Sequence, residues 1–285
     1  MMKSLKRILL ATAVVSFGFA ANAQQLPQPS PKAKAMQTIG LTDVEVEYSR
    51  PGVKGRIVWN DLVPYGEVWR TGANLNTLIS FSTDVKIGGQ DVKAGTYSLF
   101  AVPNQIQWTI HINSVTDAWG TASYKEENNV ASFKVNSRKH TFTERMTFYF
   151  SEVGMDNGTL TLAWENVAVD MPIKVNTSEI AMQNIKTAIE EKPEDWRVYR
   201  NAASYCKDSG TNLEQGLAWM EKSLELKDDS WYSHFVYAQL LYMNGEEKKA
   251  VKAAKKAKKM GEEEAAADGR EFMYGKMIDD AMLDW

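Results

Sequence analysis

The spacing of apolar positions along this chain changes once. From about Met36 to Val175 the dominant period is two. In "DVEVEYS", Val44, Val46 and Tyr48 alternate with Glu45 and Glu47; in "QWTIHIN", Trp108, Ile110 and Ile112 alternate with Thr109, His111 and Asn113. "LISFS", "VASFKV", "RMTFYFSEV" and "LTLAWENVAVDMPIKV" supply further strands. "VKIGGQDVKAGTYSLFAVP" reads as a strand, a Gly88-Gly89 turn, a short strand, an Ala94-Gly95 turn and a strong strand from Thr96 to Val102. About eight to ten short strands with turns every ~8–12 residues predict an antiparallel β-sandwich or jelly-roll-like domain.

At about Asn176 the period becomes 3.6. "EIAMQNIKTAIEEKP" is amphipathic up to Pro193, with Thr177 or Ser178 and Glu179 offering capping chemistry at its start. Ala181, Ile185 and Ala188 recur as Gly216, Met220 and Ser223, then as Ala250, Ala254 and Ala257, at a spacing of about 34 residues. Tyr199, Ala203 and Gly210, then Ala238, Leu241 and Gly245, match the other places of a tetratricopeptide-like helical hairpin. Small residues suit helices that approach closely, and Cys206 falls on a face turned to its neighbours. "EFMYGKMIDDAMLDW" reads as a capping helix with Trp285 folded back. The fold class is therefore α+β multidomain: a β domain over 36–175 and an all-α array over 176–285.

The N-terminus adds a compartment. Lys3, Lys6 and Arg7, the apolar run Ile8–Ala20 and the Ala21-Asn22-Ala23 site make residues 1–23 a signal peptide cleaved after Ala23. Residues 24–35, with Pro27, Pro29 and Pro31, form an extended lead-in. A periplasmic or secreted protein without stable membrane insertion is expected. The net charge of −3, more acidic still once the leader is removed, argues against a nucleic acid partner. One cysteine excludes an internal disulfide, and three histidines without metal-ligand spacing give no reason to expect a metal or cofactor.

Candidate chemistry gathers in "YSRPGVKGRIVWNDLVPYGEVWRTGAN". Arg50, Lys54, Arg56 and Arg70 lie among Tyr65, Trp69 and Asn74. Guanidinium forks between aromatic walls suit a carboxylate, phosphate or sulfate, and the rings suit a sugar. Alternatively Arg70 pins its Thr-Gly-Ala-Asn turn to backbone carbonyls or to an acid such as Asp61; that structural lock is the preferred reading. His111 is a candidate acid or base if it shares a concave surface with Arg70. Trp119, in "TDAWG", is a candidate sugar contact beside Asp117. Glu45 with Glu47 and Glu126 with Glu127 are the paired carboxylates, each more simply a solvated pair. There is no nucleophile elbow, P-loop or Cys–His arrangement, so no catalytic motif is recognised.

The Ser-Arg-Pro and Trp-Arg-Thr-Gly-Ala-Asn signatures, with "AGTYSLFAVP", "WTIHIN" and a later "WG", resemble an exported family found mainly in Bacteroidetes. It is known as domain of unknown function 2911, and the resemblance spans about residues 25–175. It implies export and a β domain followed by helical repeats, and it carries no activity. This chain departs from it at Asn60, where many members have glycine. Taken together, the sequence points to an exported binding or scaffold protein. Its repeats would recruit a protein or peptide partner and its β domain would hold a small anionic or glycan ligand. The alternative is a cell-envelope hydrolase or sugar-modifying enzyme acting around Trp69, Arg70 and His111.

Overall fold

A computed structural model describes residues 26–285, so the leader read over 1–23 lies outside the described residues. The expected α+β order is present: a nine-stranded antiparallel sheet precedes six helices. The strands are β1 (Lys32–Ile39), β2 (Thr42–Ser49), β3 (Leu78–Phe81), β4 (Val85–Ile87), β5 (Gln90–Val92), β6 (Gly95–Val102), β7 (Gln107–Asn113), β8 (Asn129–Ser151) and β9 (Asn157–Val175). Their order across the sheet is β1-β2-β3-β6-β7-β8-β9-β4-β5. β1 starts inside the proline-rich lead-in, because Ala33 and Ala35 already pack against the core.

β8 organises the domain. Its first part pairs with β7 as far as Asn136, and from Ser137 onward it pairs with β9. "NSRKHTFTE", which separates "VASFKV" from "RMTFYFSEV" in the sequence, is thus the middle of one long strand. Arg138 explains part of this: it grips Asp170 of β9 with two hydrogen bonds, of 2.6 and 2.9 Å. The segment after β2 then returns to β8, where Val53 N donates to Glu144 O (2.8 Å) and Met146 N to Pro51 O (3.0 Å). The sheet consequently curls around one core, in which Val44, Ile79, Leu99, Ile110 and Leu162 are all buried.

Four indoles fill the centre of that core. Trp59 lies 4.8 Å from Trp108 and 5.9 Å from both Trp69 and Trp164, ring centre to ring centre. Trp69 stacks on Trp164 at 6.0 Å. The turn that delivers Trp59 passes through Asn60 with φ +65°, a left-handed conformation that glycine or asparagine adopts with little strain. Such a position suits either the asparagine present here or the glycine that the family resemblance implies.

The helices are α1 (Thr177–Glu191), α2 (Trp196–Ser209), α3 (Leu213–Leu226), α4 (Trp231–Met243), α5 (Glu247–Ala267) and α6 (Gly275–Leu283). Asn176, rather than Thr177 or Ser178, caps α1 by accepting from Glu179 N. Thr177 is drawn away because its hydroxyl donates to Met155 O in the β8–β9 turn (2.5 Å). Of the recurring positions, Ala181, Gly216, Met220, Ser223, Ala250, Ala254 and Ala257 are buried, while Ile185 and Ala188 of α1 are half-buried. A β-carbon on Gly216 of α3 would fall 2.6 Å from that of Cys206 on α2, so only glycine permits this approach. Cys206 is fully buried and Trp285 folds back to stack on Tyr242 at 5.3 Å. Among the described residues no helix is long and apolar enough to cross a membrane.

Candidate functional site

The Thr-Gly-Ala-Asn turn needs fastening, since Thr71 and Asn74 have φ +52° and +61°. The fastening is done by short polar side chains. Thr71 Oγ1 donates to Leu99 O (2.8 Å), and Thr77 Oγ1 donates back to Thr71 O (2.9 Å). Asn74 Nδ2 reaches Ser30 O and Ser49 Oγ, each at 3.3 Å. The Asn76 amide lies against the Ala118 and Gly120 carbonyls at 3.0 and 3.2 Å, where a nitrogen donates and an oxygen could not sit. That last pair ties the loop bearing Trp119 to the turn bearing Arg70.

Arg70 takes no part in this. Among the described residues it makes no hydrogen bond or ion pair, and its Nε is buried without an acceptor. The preferred expectation of a structural lock is therefore overturned, and Asp61 is exposed and unconnected to Arg70. The reason is the alternation of strand faces. Trp69 forms an antiparallel bridge with Ala101 of β6 and points with it into the core. Arg70, one residue on, points to the opposite face of the sheet, away from the carbonyls it was expected to find. There its guanidinium lies 5.4 Å from the centre of the Trp119 ring, which is 69 % exposed. Partial burial lowers the Arg70 pKa, yet a guanidinium stays charged, so an unneutralised cation sits beneath an exposed indole.

The other sequence candidates have separate structural tasks. Arg50 donates to Met146 O (2.9 Å) and Thr147 Oγ1, fastening β2 to β8. Arg56 donates to Val53 O and Gly52 O (3.1 and 2.6 Å), closing its own turn. Lys54 is exposed at φ +49°, its backbone N held by Glu144. Tyr65 and Trp69 pack on the core. Glu45 and Glu47 pair with Lys34 and Lys32 across the β1–β2 hairpin. Among the candidates in the described residues, Arg70 and Trp119 meet directly.

His111 shares their face of the sheet at a distance. It pairs with Phe100 across β6 and β7, so it stands about two strand spacings, roughly 10 Å, from Arg70. Tyr124, from the same loop as Trp119, covers Phe100 and His111 with ring centres 5.0 and 5.8 Å away. His111 Nδ1 accepts from Asn129 Nδ2 (3.1 Å) and meets Ser132 Oγ (2.8 Å), which leaves the ring proton on Nε2. Tyr124, Asn129 and Ser132 were not legible beforehand: Asn129 and Ser132 reach His111 because β8 pairs with β7, with Ser132 directly opposite His111, and Tyr124 because its loop folds over the sheet.

This arrangement of the Trp-Arg-Thr-Gly-Ala-Asn turn belongs to the portion of chain with a known relative. The profile of a family described as protein of unknown function, DUF2911, matches residues 30–173. The chain belongs to the DUF2911 family. Comparison with curated proteins finds no match. Within the DUF2911 domain Arg70 and Trp119 lie together, a guanidinium without an acceptor among the described residues beside an exposed indole.

The DUF2911 domain should also respond to pH through His111. Burial holds its pKa below the ordinary 6.5, and the charge of Glu126 opposes this to a smaller extent. The unfolded chain takes up the proton near 6.5 and the folded chain only at lower pH. Between those values the unfolded state binds more protons, so stability falls on acidification. His234 in the helical half has the same sign, so the comparison must be with a variant. Urea unfolding at about pH 7 and about pH 5 should show a smaller loss for His111→Gln than for the parent chain; equal losses would contradict the assignment.

Proposed function

We propose that this chain is an exported ligand-binding protein of the cell envelope. Its DUF2911 domain takes a small carboxylated ligand, an acidic sugar foremost, between Arg70 and Trp119. Its helical half, which we read as tetratricopeptide-like, recruits a protein partner. One observation carries the ligand reading: a partly buried guanidinium with no protein acceptor lies against an exposed tryptophan. Leaving such a donor unsatisfied costs about 1–3 kcal/mol, a cost that a carboxylate would remove. The indole face supplies stacking area for a sugar ring and a cation–π contact of about 0.5–2 kcal/mol that holds the guanidinium plane. The signal-peptide pattern read in the sequence of residues 1–23 supports the compartment. An enzyme reading finds less support, because the Nδ1 lone pair of His111 is already engaged and Tyr124 covers the ring.

Titrating the chain with uronic-acid oligosaccharides and with their neutral counterparts tests this reading. Saturable quenching of tryptophan fluorescence is expected with the acidic series and should vanish in Trp119→Ala. Equal response to neutral sugars, or retention of the response in that variant, would sink the proposal.

A further inference from the structure

The helical period of α5 sets an alanine stripe against a lysine face. Ala250, Ala254 and Ala257 are indeed buried. The lysine face, however, is not uniform. Lys258 and Lys259 near its C-terminal end pair with Glu262 and Glu263, whereas Lys252 and Lys256 make no ion pair among the described residues. Lys249, Lys252 and Lys256 recur every three or four residues, so they share one side of the helix. That side overlooks a groove of about 450 Å³ between α3, α4 and α5, floored by Leu224, Tyr237 and Leu241. Lys249 is partly neutralised by Glu246, and the Tyr237 hydroxyl donates to Glu221 at 3.3 Å.

An apolar floor with two unneutralised cations on one wall has a definite complement. We propose that this groove takes a carboxylate-bearing peptide segment of a partner protein, with its apolar side chains over Leu224 and Tyr237 and its acids against Lys252 and Lys256. This names the partner chemistry for the helical half and rests on that part of the reading above; it is independent of Arg70. A nucleic acid fits less well. Single-strand sites combine a continuous basic track with several stacking rings, whereas this groove offers one tyrosine and has Glu221 and Glu246 at its rim. The lysine charge also contributes to holding the His234 pKa below its usual value, after burial, which is the larger cause.

The test is fluorescence anisotropy of the whole chain with a labelled short Leu/Glu peptide, its Leu/Gln counterpart, a single-stranded oligonucleotide and phosphatidylglycerol vesicles. The Leu/Glu peptide should bind, and the Leu/Gln peptide should bind about tenfold more weakly or worse. Lys252→Glu with Lys256→Glu should weaken binding by at least about tenfold while the far-UV circular dichroism stays unchanged. The milder Lys252→Gln with Lys256→Gln pair guards against a folding defect. Arg70→Ala should leave this binding intact while removing the uronate response, which separates the two sites. Peptide binding that is blind to both lysine pairs would overturn the groove while leaving partner recruitment elsewhere on the array. No peptide binding, equal binding of the Leu/Gln peptide, or preference for oligonucleotide or vesicles would overturn the proposal itself.

Discussion

Trp59→Ala is expected to destabilise the β domain by about 3–5 kcal/mol, the range for deleting a large aromatic side chain from a packed core. Trp59 is buried and touches all three other members of the indole cluster, so its removal opens a void that no neighbour can fill without leaving its own contacts. Collapse is hindered further because the neighbours come from separate elements. Trp108 sits on β7, Trp164 on β9 and Trp69 on the bridge to β6. Among the described residues, the buried Nε1 atoms of Trp59 and Trp164 have no hydrogen-bond acceptor. Trp59→Phe should therefore recover part of the loss, keeping most of the packed area while discarding one unsatisfied donor. Chemical denaturation followed by near-ultraviolet circular dichroism measures both. A loss below about 1 kcal/mol for Trp59→Ala would show that the cluster is not the keystone of the core.

Arg70→Ala should do the reverse, removing ligand binding while barely affecting stability. A structural lock would lower the melting temperature markedly, because its loss strands the carbonyls it served. Here there are none to strand, since Arg70 bonds to no described residue. Removing an unpaired, partly buried cation is neutral to mildly stabilising, offset by the cation–π contact with Trp119. A shift of no more than about 2 °C is expected. Uronate affinity should fall by about ten- to a hundredfold, as befits a charge-assisted hydrogen bond. Arg70→Lys should recover only part of it, because an ammonium cannot present a planar fork or stack on the indole in the same way. A large drop in melting temperature with ligand binding retained would return Arg70 to the scaffold.

The turn around Arg70 is instead secured by Thr71, Asn74, Asn76 and Thr77, of which only Asn74 stands out in the sequence. Short hydroxyl and amide side chains reach the backbone of adjacent segments without the entropy of a long chain. They are thus well suited to hold two consecutive regions of positive φ. The arginine remains available because the turn does not need it.

What the sequence determined by itself was whatever depends on local periodicity. Alternation over "DVEVEYS" and "QWTIHIN" set strand faces, and small residues about 34 positions apart set helix contacts, because both follow from the geometry of a single element. The Asn60 exchange could be recognised in the sequence, and only its φ explained it. The long course of β8 through "NSRKHTFTE" was not legible, because Arg138 finds Asp170 only once β9 lies alongside. Nor was the fate of the arginines. Arg50, Arg56 and Arg70 look alike in sequence, yet two meet carbonyls and one meets a bare indole. Trp119 is 49 residues away in the chain and reaches Arg70 through the bridge between Leu75 and Trp119 and the Asn76 contacts with Ala118 and Gly120. Local chemistry fixes which way each side chain leaves the backbone; what it then encounters is decided by which distant strand or loop packs against that face.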